Sequence, residues 1–382
     1  MQSPLKIVAD QQITLAKEVF SQFGEVELVN GRSIDQNTVQ DADALLVRSV
    51  TKVNESLLNN SKVSFVASAT SGIDHIDTDY LKKSNISFSH APGSNARSVA
   101  EYVLSSLLVL SEQQGSNLAD KTIGIIGCGQ VGSRVKRFMQ VLGVKCLIND
   151  PLLAKHDSNH DFVELEEMYQ ADIITLHVPL IMDGEYPTHQ LVNGAFLEKL
   201  KTDVTIINTS RGEVIDESAL MAFKQANNKA TLILDVWCNE PDIDINLLEN
   251  TFIATPHIAG YSYDGKLKAT EMLFHALNAH FDMRLEASAV FNSKQERMNN
   301  DDDTIQLAVL QSYDVRSDAI ALRALKDMKQ QDRAAYFDSL RKNYPIRREF
   351  TNRTIQANNR ANNITMSSTQ KLQQLGFKVE SI

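Results

Sequence analysis

The chain has 382 residues, 43% of them hydrophobic and 23% charged, with a formal net charge of −10. That length exceeds the ~250–300 residues one core usually fills, so more than one domain is expected. The acidic balance argues against a broad basic face for nucleic acid. The absence of any ~18-residue apolar run argues against a membrane span. Three widely spaced cysteines, Cys128, Cys146 and Cys238, suggest neither a disulfide framework nor a metal site. The N-terminus lacks the apolar core of a signal peptide, so the expected compartment is a reducing cytoplasm, where the sequons at Asn54, Asn352 and Asn363 carry no meaning.

Short apolar runs alternate with helical patterns from the start. KIVAD (6–10) reads as a strand, ITLAKEVFSQFG as a helix closed by Gly24, and VELVN, ADALLVRS, VSFVASAT and ISFSHAP as further strands. This alternation predicts a parallel sheet with helices on both faces. ARSVAEYVLSSLLVLSEQQ (96–114) is a long helix, apolar on most sides and therefore buried. A second series starts at KTIGIIG and continues through KCLIND, ADIITLHVP, TDVTIINTS, ATLILDVW and TFIATP. A helix from about Ser262 to Phe281 then leads back to the first domain. That domain is expected to be discontinuous, 1–95 with 258–285 around 96–257. MNNDDD (298–303) reads as a polar linker. Residues 286–382, with DAIALRALKDM, RAAYFDSLRKNY and the Asn-rich TNRTIQANNRANN, read as a small third domain that dimerisation would stabilise.

IGIIGCGQVGS places Gly127, Gly129 and Gly132 between an apolar strand and a helix that ends at Gly143. Asp150 closes the next strand at close to the ~20-residue spacing of a dinucleotide-binding unit. Gly127 permits the turn, Gly129 lets the backbone approach a pyrophosphate, and Gly132 lets the helix pack on the strand. The helix N-terminus offers N–H groups to phosphates. Asp150 suits ribose hydroxyls and repels a 2′-phosphate, so the expected cofactor is NAD.

Later strand ends carry Arg211 in INTSRGEVID, Asp235 and Glu240 in LDVWCNEPD, and His257 in TPHIAGY. Ligands of open parallel sheets bind at the carboxyl ends of strands, so these residues are expected to converge on the cofactor. Arg211 can hold a carboxylate through paired charge-assisted hydrogen bonds. His257 can take a hydroxyl proton. Glu240 can accept the other imidazole N–H, and Asp235 can meet the nicotinamide carboxamide or ribose. His177, in LHVP, is expected to be structural.

These segments resemble the D-isomer-specific 2-hydroxyacid dehydrogenases over about residues 5–285. The resemblance implies an α/β fold with a Rossmann-type NAD domain inserted in a flavodoxin-like catalytic domain. It implies catalytic roles for Arg211, Glu240 and His257. RSVTKV, PHIAGYSYDGK and SYDVRSDAIALR…FDSLRKNYPIRREF resemble a narrower branch acting on a phosphorylated hydroxy acid, with a small α+β C-terminal dimerisation domain and a homodimeric state. Implied cofactor contacts are Gln130, Val131, Val178, Thr209, Ser210, Asp235 and Gly260. Implied substrate contacts are Ser49, Thr70 and Tyr261. The substrate phosphate has two candidate holders, the Arg48/Lys52 region and Arg347 or Arg348 reaching from a partner subunit, although a solvated or interface charge run is the favoured reading of the RKNYPIRREF cluster. The rivals are a relative acting on another hydroxy acid and an NAD-sensing co-repressor on the same fold.

Overall fold

A computed structural model of the chain describes residues 4–156, 162–287, 291, 295–300, 304–357 and 366–381. Residues 301–303 of the expected linker, residues 358–363 of the Asn-rich stretch and the Asn363 sequon lie outside them. The chain divides into two compact units.

The first unit comprises Met1–Asn95 and Ser262–Lys294. Its strands are β1 (Leu5–Asp10), β2 (Gly24–Val29), β3 (Ala44–Val47), β4 (Phe65–Ser68) and β5 (Ser87–His90). They pair in parallel in the order β2-β1-β3-β4-β5, the flavodoxin-like order. β3 and β4 are buried throughout, because helices cover both faces of a parallel sheet. On one face the helix Tyr263–His280 lays Leu273, Phe274 and Leu277 against Phe20 and Phe23. The helix expected to close at Gly24 is shorter, Ala16–Phe20. Gly24 instead opens β2, where a Cβ would lie 2.1 Å from the Leu5 carbonyl oxygen.

The second unit comprises Ala96–Tyr261 and Gln295–Ile382. Its large sheet holds β6 (Thr122–Ile126), β7 (Lys145–Asn149), β8 (Ile173–Leu176), β9 (Thr205–Asn208), β10 (Thr231–Leu234) and β11 (Ile253–Ala254). The order is β11-β10-β9-β8-β6-β7, and all pairs are parallel. Phe162 adds a single parallel bridge to Ile148 of β7. Counting Phe162 as a residual third strand recovers the Rossmann order, with its switch point between β6 and β8. The helix Gly132–Val141 follows β6 and stops where Gly143 takes φ 79°, the left-handed residue that commonly ends helices.

The C-terminal residues form a small parallel sheet of β12 (Glu296–Asn300), β13 (Arg353–Ala357) and β14 (Lys378–Ser381). The expected linker residues Met298, Asn299 and Asn300 are therefore strand. Helices Ile305–Ser312, Arg316–Arg323, Gln330–Lys342 and Met366–Leu375 accompany it. This part shares a core with the large sheet. Phe350 stacks between Phe138 and Phe377 at centroid distances of 6.3 and 4.4 Å. Ala308, Val309 and Leu372 join Val99, Tyr102 and Val103 of the helix Ala96–Gln114. Burying a large apolar side chain contributes ~1.5–3 kcal/mol, so this shared core is a substantial bond between the two parts.

A buried polar set crosses the same contact. Phe350 N–H donates to Glu101 Oε1 at 2.9 Å, and Ser98 Oγ donates to Glu349 Oε1 at 2.7 Å. Arg97 Nη1 lies 3.6 Å from Glu101. Burial, with Glu349 adding repulsion, pushes the Glu101 carboxyl up to about 8.

Candidate active site

At the switch point the three glycines face different surroundings. Gly127 has φ 87°, and a Cβ there would lie 2.7 Å from the His177 carbonyl oxygen and 2.8 Å from Val178 Cγ1. A Cβ on Gly132 would lie 2.0 Å from the Gly127 carbonyl oxygen. Both glycines are required by the protein's own backbone. A Cβ on Gly129 would meet nothing within 4 Å, so that position leaves room for a ligand to approach.

Val131 precedes the helix, and Gln130 is tied to it: Arg134 Nη1 donates to Gln130 Oε1 at 3.0 Å and also to its carbonyl. Asp150 Oδ2 accepts from Cys128 N–H at 2.8 Å, and Oδ1 accepts from Leu153 N–H at 3.0 Å. A carboxylate has about four acceptor positions, so further hydrogen bonds from ribose hydroxyls are stereochemically open. The donor set fits NAD: an open glycine, a helix N-terminus and a carboxylate beside them.

His177 lies between Thr175 Oγ1 (3.0 Å from Nε2) and Thr209 Oγ1 (3.1 Å from Nδ1). Burial lowers its pKa to about 3, so the ring stays neutral and links the ends of β8 and β9.

The loops after β9, β10 and β11 are bound to one another. Asn208, buried at the end of β9, accepts from Ser210 N–H and Oγ–H at 3.0 and 2.7 Å and donates to the Arg211 carbonyl at 2.8 Å. Its side chain is the core around which Thr209, Ser210 and Arg211 turn. The Arg211 side chain lies over this loop, with Nη1 donating to the Ser210 carbonyl at 2.7 Å. The next residue, Gly212, is pressed onto the β10 loop: a Cβ there would lie 2.1 Å from the Trp237 carbonyl carbon. That contact brings the Arg211 loop to the Glu240 loop.

Asp235, 1% exposed, organises the loop after β11. Its Oδ1 accepts from Thr255 Oγ1 at 2.7 Å and Ile258 N–H at 2.8 Å, and its Oδ2 from Ala259 N–H at 3.0 Å. Its backbone carbonyl accepts from His257 N–H at 2.7 Å. The sequence reading gave Asp235 only a cofactor contact and missed this scaffold role. Three acceptor positions are filled by the loop, and burial, the largest influence, holds the carboxyl above its ordinary pKa. The same loop ends β11 after two residues, where TFIATP had suggested a longer strand.

His257 sits in this loop with φ 56°. Its Nδ1 is 2.8 Å from Glu240 Oε2, and Glu240 Oε1 accepts from Trp237 N–H at 3.0 Å. A carboxylate only accepts, so Nδ1 carries the proton and Nε2 the lone pair. Burial raises the Glu240 pKa, but His257, and then Arg341, bring it below the ordinary value. The His257 side chain is 34% exposed and Glu240 18%, so the imidazole remains reachable while its partner is mostly covered. Gly260 and Tyr261 follow, and Tyr261 N–H donates to the Ile258 carbonyl at 2.7 Å.

Ser49 and Thr70 belong to the first unit and follow β3 and β4. Ser49 is exposed. Thr70 Oγ1 donates to the Gly72 carbonyl at 2.7 Å and lies 2.6 Å from Ser68 Oγ. Beside Ser49, Arg48 Nε is 3.0 Å from the fully buried Asp10 carboxylate. Lys266, missed by the sequence reading, neighbours Arg48: burial, then the Arg48 charge, lowers its pKa to about 8. Lys52 is exposed.

The expectation that Arg347 or Arg348 reaches into a partner's site is corrected by their burial in their own chain, at 5% and 6% exposure. Arg347 donates to the Ala259 carbonyl at 3.1 Å and the Ser98 carbonyl at 2.6 Å, with its guanidinium 3.5 Å from the Tyr313 ring centre. Arg348 is 3.5 Å from Glu296. Arg347 therefore anchors the His257 loop to the C-terminal part of the same chain.

Among the described residues, no helix is long and apolar enough to cross a membrane. A family profile described as the NAD-binding domain of D-isomer specific 2-hydroxyacid dehydrogenases matches residues 100–259, and a domain of unknown function matches residues 285–376. The erythronate-4-phosphate dehydrogenase of Hahella chejuensis is 45% identical over 91% of this chain and 93% of its own. That of Cronobacter sakazakii is 40% identical over 98% of both. Among solved structures, the NAD-bound 3-phosphoglycerate dehydrogenase of Entamoeba histolytica is 25% identical, with a TM-score of 0.63 over 74% of this chain and 96% of that one. The chain belongs to the erythronate-4-phosphate dehydrogenase family, within the NAD-dependent D-isomer-specific 2-hydroxyacid dehydrogenases.

Proposed function

We propose that the protein oxidises 4-phospho-D-erythronate at C2 to (R)-3-hydroxy-2-oxo-4-phosphooxybutanoate with NAD, a step of pyridoxal 5′-phosphate biosynthesis. The observation that carries this reading is the 2.8 Å His257–Glu240 pair on the strand ends of the sheet that also holds the glycine loop and Asp150. His257 Nε2 takes the proton of the C2 hydroxyl, and Glu240 stabilises the imidazolium that results. Arg211 holds the C1 carboxylate and polarises the C2 oxygen as it becomes a carbonyl. Gly127, Gly129, Gln130, Val131, Gly132, Val178, Thr209, Ser210 and Gly260 line the cofactor. Asp150 takes its ribose, and Asp235 has room on Oδ2 for one more donor. When bound, NAD supplies the hydride acceptor.

Ser49, Thr70 and Tyr261 contact the substrate. Arg48 with Lys266 is the phosphate holder we favour, since the Arg48 side chain keeps 27% exposure with a second cation beside it, whereas Arg347 and Arg348 are buried. The C-terminal part mediates a homodimer. Three unpaired cysteines suit a cytoplasmic enzyme.

The test is turnover by the purified protein with NAD and each of 4-phospho-D-erythronate and 3-phosphoglycerate, followed as reduced cofactor in both directions. Oxidation of the first acid at a kcat/KM well above that of the second is expected. Preference for phosphoglycerate overturns the substrate, and NAD binding without turnover on any acid overturns the enzyme reading.

A further inference from the structure

Tyr261 is flanked by the C-terminal part of its own unit. Tyr344 meets its ring edge-on at a centroid distance of 5.7 Å, and the Arg341 guanidinium lies 5.8 Å from its centre. Tyr344 is fixed in turn by donating to Asp318 at 2.9 Å. Arg341 stands in the last turn of the helix Gln330–Lys342. A cation there complements the helix dipole, but that role needs no contact with Tyr261. Arg341 Nε is buried, with no hydrogen-bond partner among the described residues, an arrangement that ordinarily costs stability. Despite that burial, its guanidinium stays protonated, with the Glu240 carboxylate as the opposing charge and the Tyr261 side chain beside it.

We propose that Arg341 is a positioning residue of the reaction, holding the Tyr261 ring and the Glu240 carboxylate in the arrangement His257 requires. The proposal rests on the proton-transfer role given above to His257. The charged and titratable groups around this arrangement are Glu240, Tyr261 and Asp338 near Arg341, with His257 paired to Glu240 and the buried Asp235 acting on His257. The positive charge of Arg341, after that of His257, lowers the Glu240 pKa, and so opposes uptake of a proton by the His257–Glu240 pair. The C-terminal part thereby supplies a residue that ties the proton-transfer pair to Tyr261, the residue expected to meet substrate.

The test compares wild type, R341Q and R341K by kcat/KM against pH in the oxidation direction, with NAD affinity and thermal denaturation alongside. In R341Q the acidic limb is expected to move up by ~1 pH unit and kcat to fall on the order of 10-fold, with NAD affinity unchanged. R341K restores the limb. Imidazole resonances of 15N-histidine-labelled protein, with the His257 signal assigned from H257N, give a readout independent of turnover: the signal titrates at higher pH in R341Q and returns in R341K. If wild type oxidises no hydroxy acid, the functional reading fails while this titration still tests the arrangement. An unmoved limb and an unmoved His257 signal in folded R341Q overturn the proposal. So does an R341K variant as impaired as R341Q in every readout, which marks a structural arginine.

Discussion

Gly129 and Gly212 stand in two loops of one sheet and face opposite surroundings. An added methyl at Gly129 meets nothing, whereas at Gly212 it meets backbone at 2.1 Å. The first loop offers empty space and N–H groups, as recognition of a phosphate by backbone requires. The second is filled: Asn208, Asp235, Trp237 and Glu240 join three strand ends through their side chains. Binding a common cofactor needs room; moving one proton needs a fixed direction.

The sharpest way to break this contrast is to remove the directed group while keeping the room. H257N is expected to lower kcat by ~10²–10⁴-fold or more with NAD affinity unchanged, measured by steady-state kinetics and cofactor fluorescence. A near-normal kcat removes His257 from proton transfer. Next comes the filled loop: G212A has to separate two backbones, so it should cost at least the ~1–3 kcal/mol of an overpacked site. Thermal denaturation without cofactor reads this, and an unchanged Tm shows that the loops part freely. The smallest effect belongs to the empty loop. G129A should leave Tm unchanged and raise the KM for NAD ~10-fold, equivalent to about 1.4 kcal/mol; an unchanged KM means the open space is not where the pyrophosphate lies.

The same contrast explains what the sequence made legible. The glycine spacing is a backbone requirement written in consecutive residues, so the loop, its helix and Asp150 could be read directly. Arg211, Glu240 and His257 were legible as strand-end residues because each follows an apolar run. Gly212, Lys266 and Arg341 were not, since their partners are set by packing of segments far apart in the chain. Asp235 was read only as a ligand because nothing in its neighbourhood shows that Thr255, Ile258 and Ala259 turn back onto it. The basic cluster at Arg347 and Arg348 was visible, but its partners, Ser98, Ala259 and Glu296, have no local signature. Gly24 misled for a related reason: a glycine after a helical pattern usually closes the helix, and only the pairing of β1 with β2 shows that its missing side chain admits Leu5.

His257 adopts φ 56°, a left-handed backbone that glycine takes without the steric cost that any side chain brings. Foldability and chemistry therefore want different residues at this one position. The three hydrogen bonds that Asp235 accepts from the loop and the Arg347 bond to Ala259 hold the unfavoured choice in place. A redesign that ranked substitutions by stability alone would be drawn to this position early and would discard the base, so the loop marks where engineering for robustness must stop.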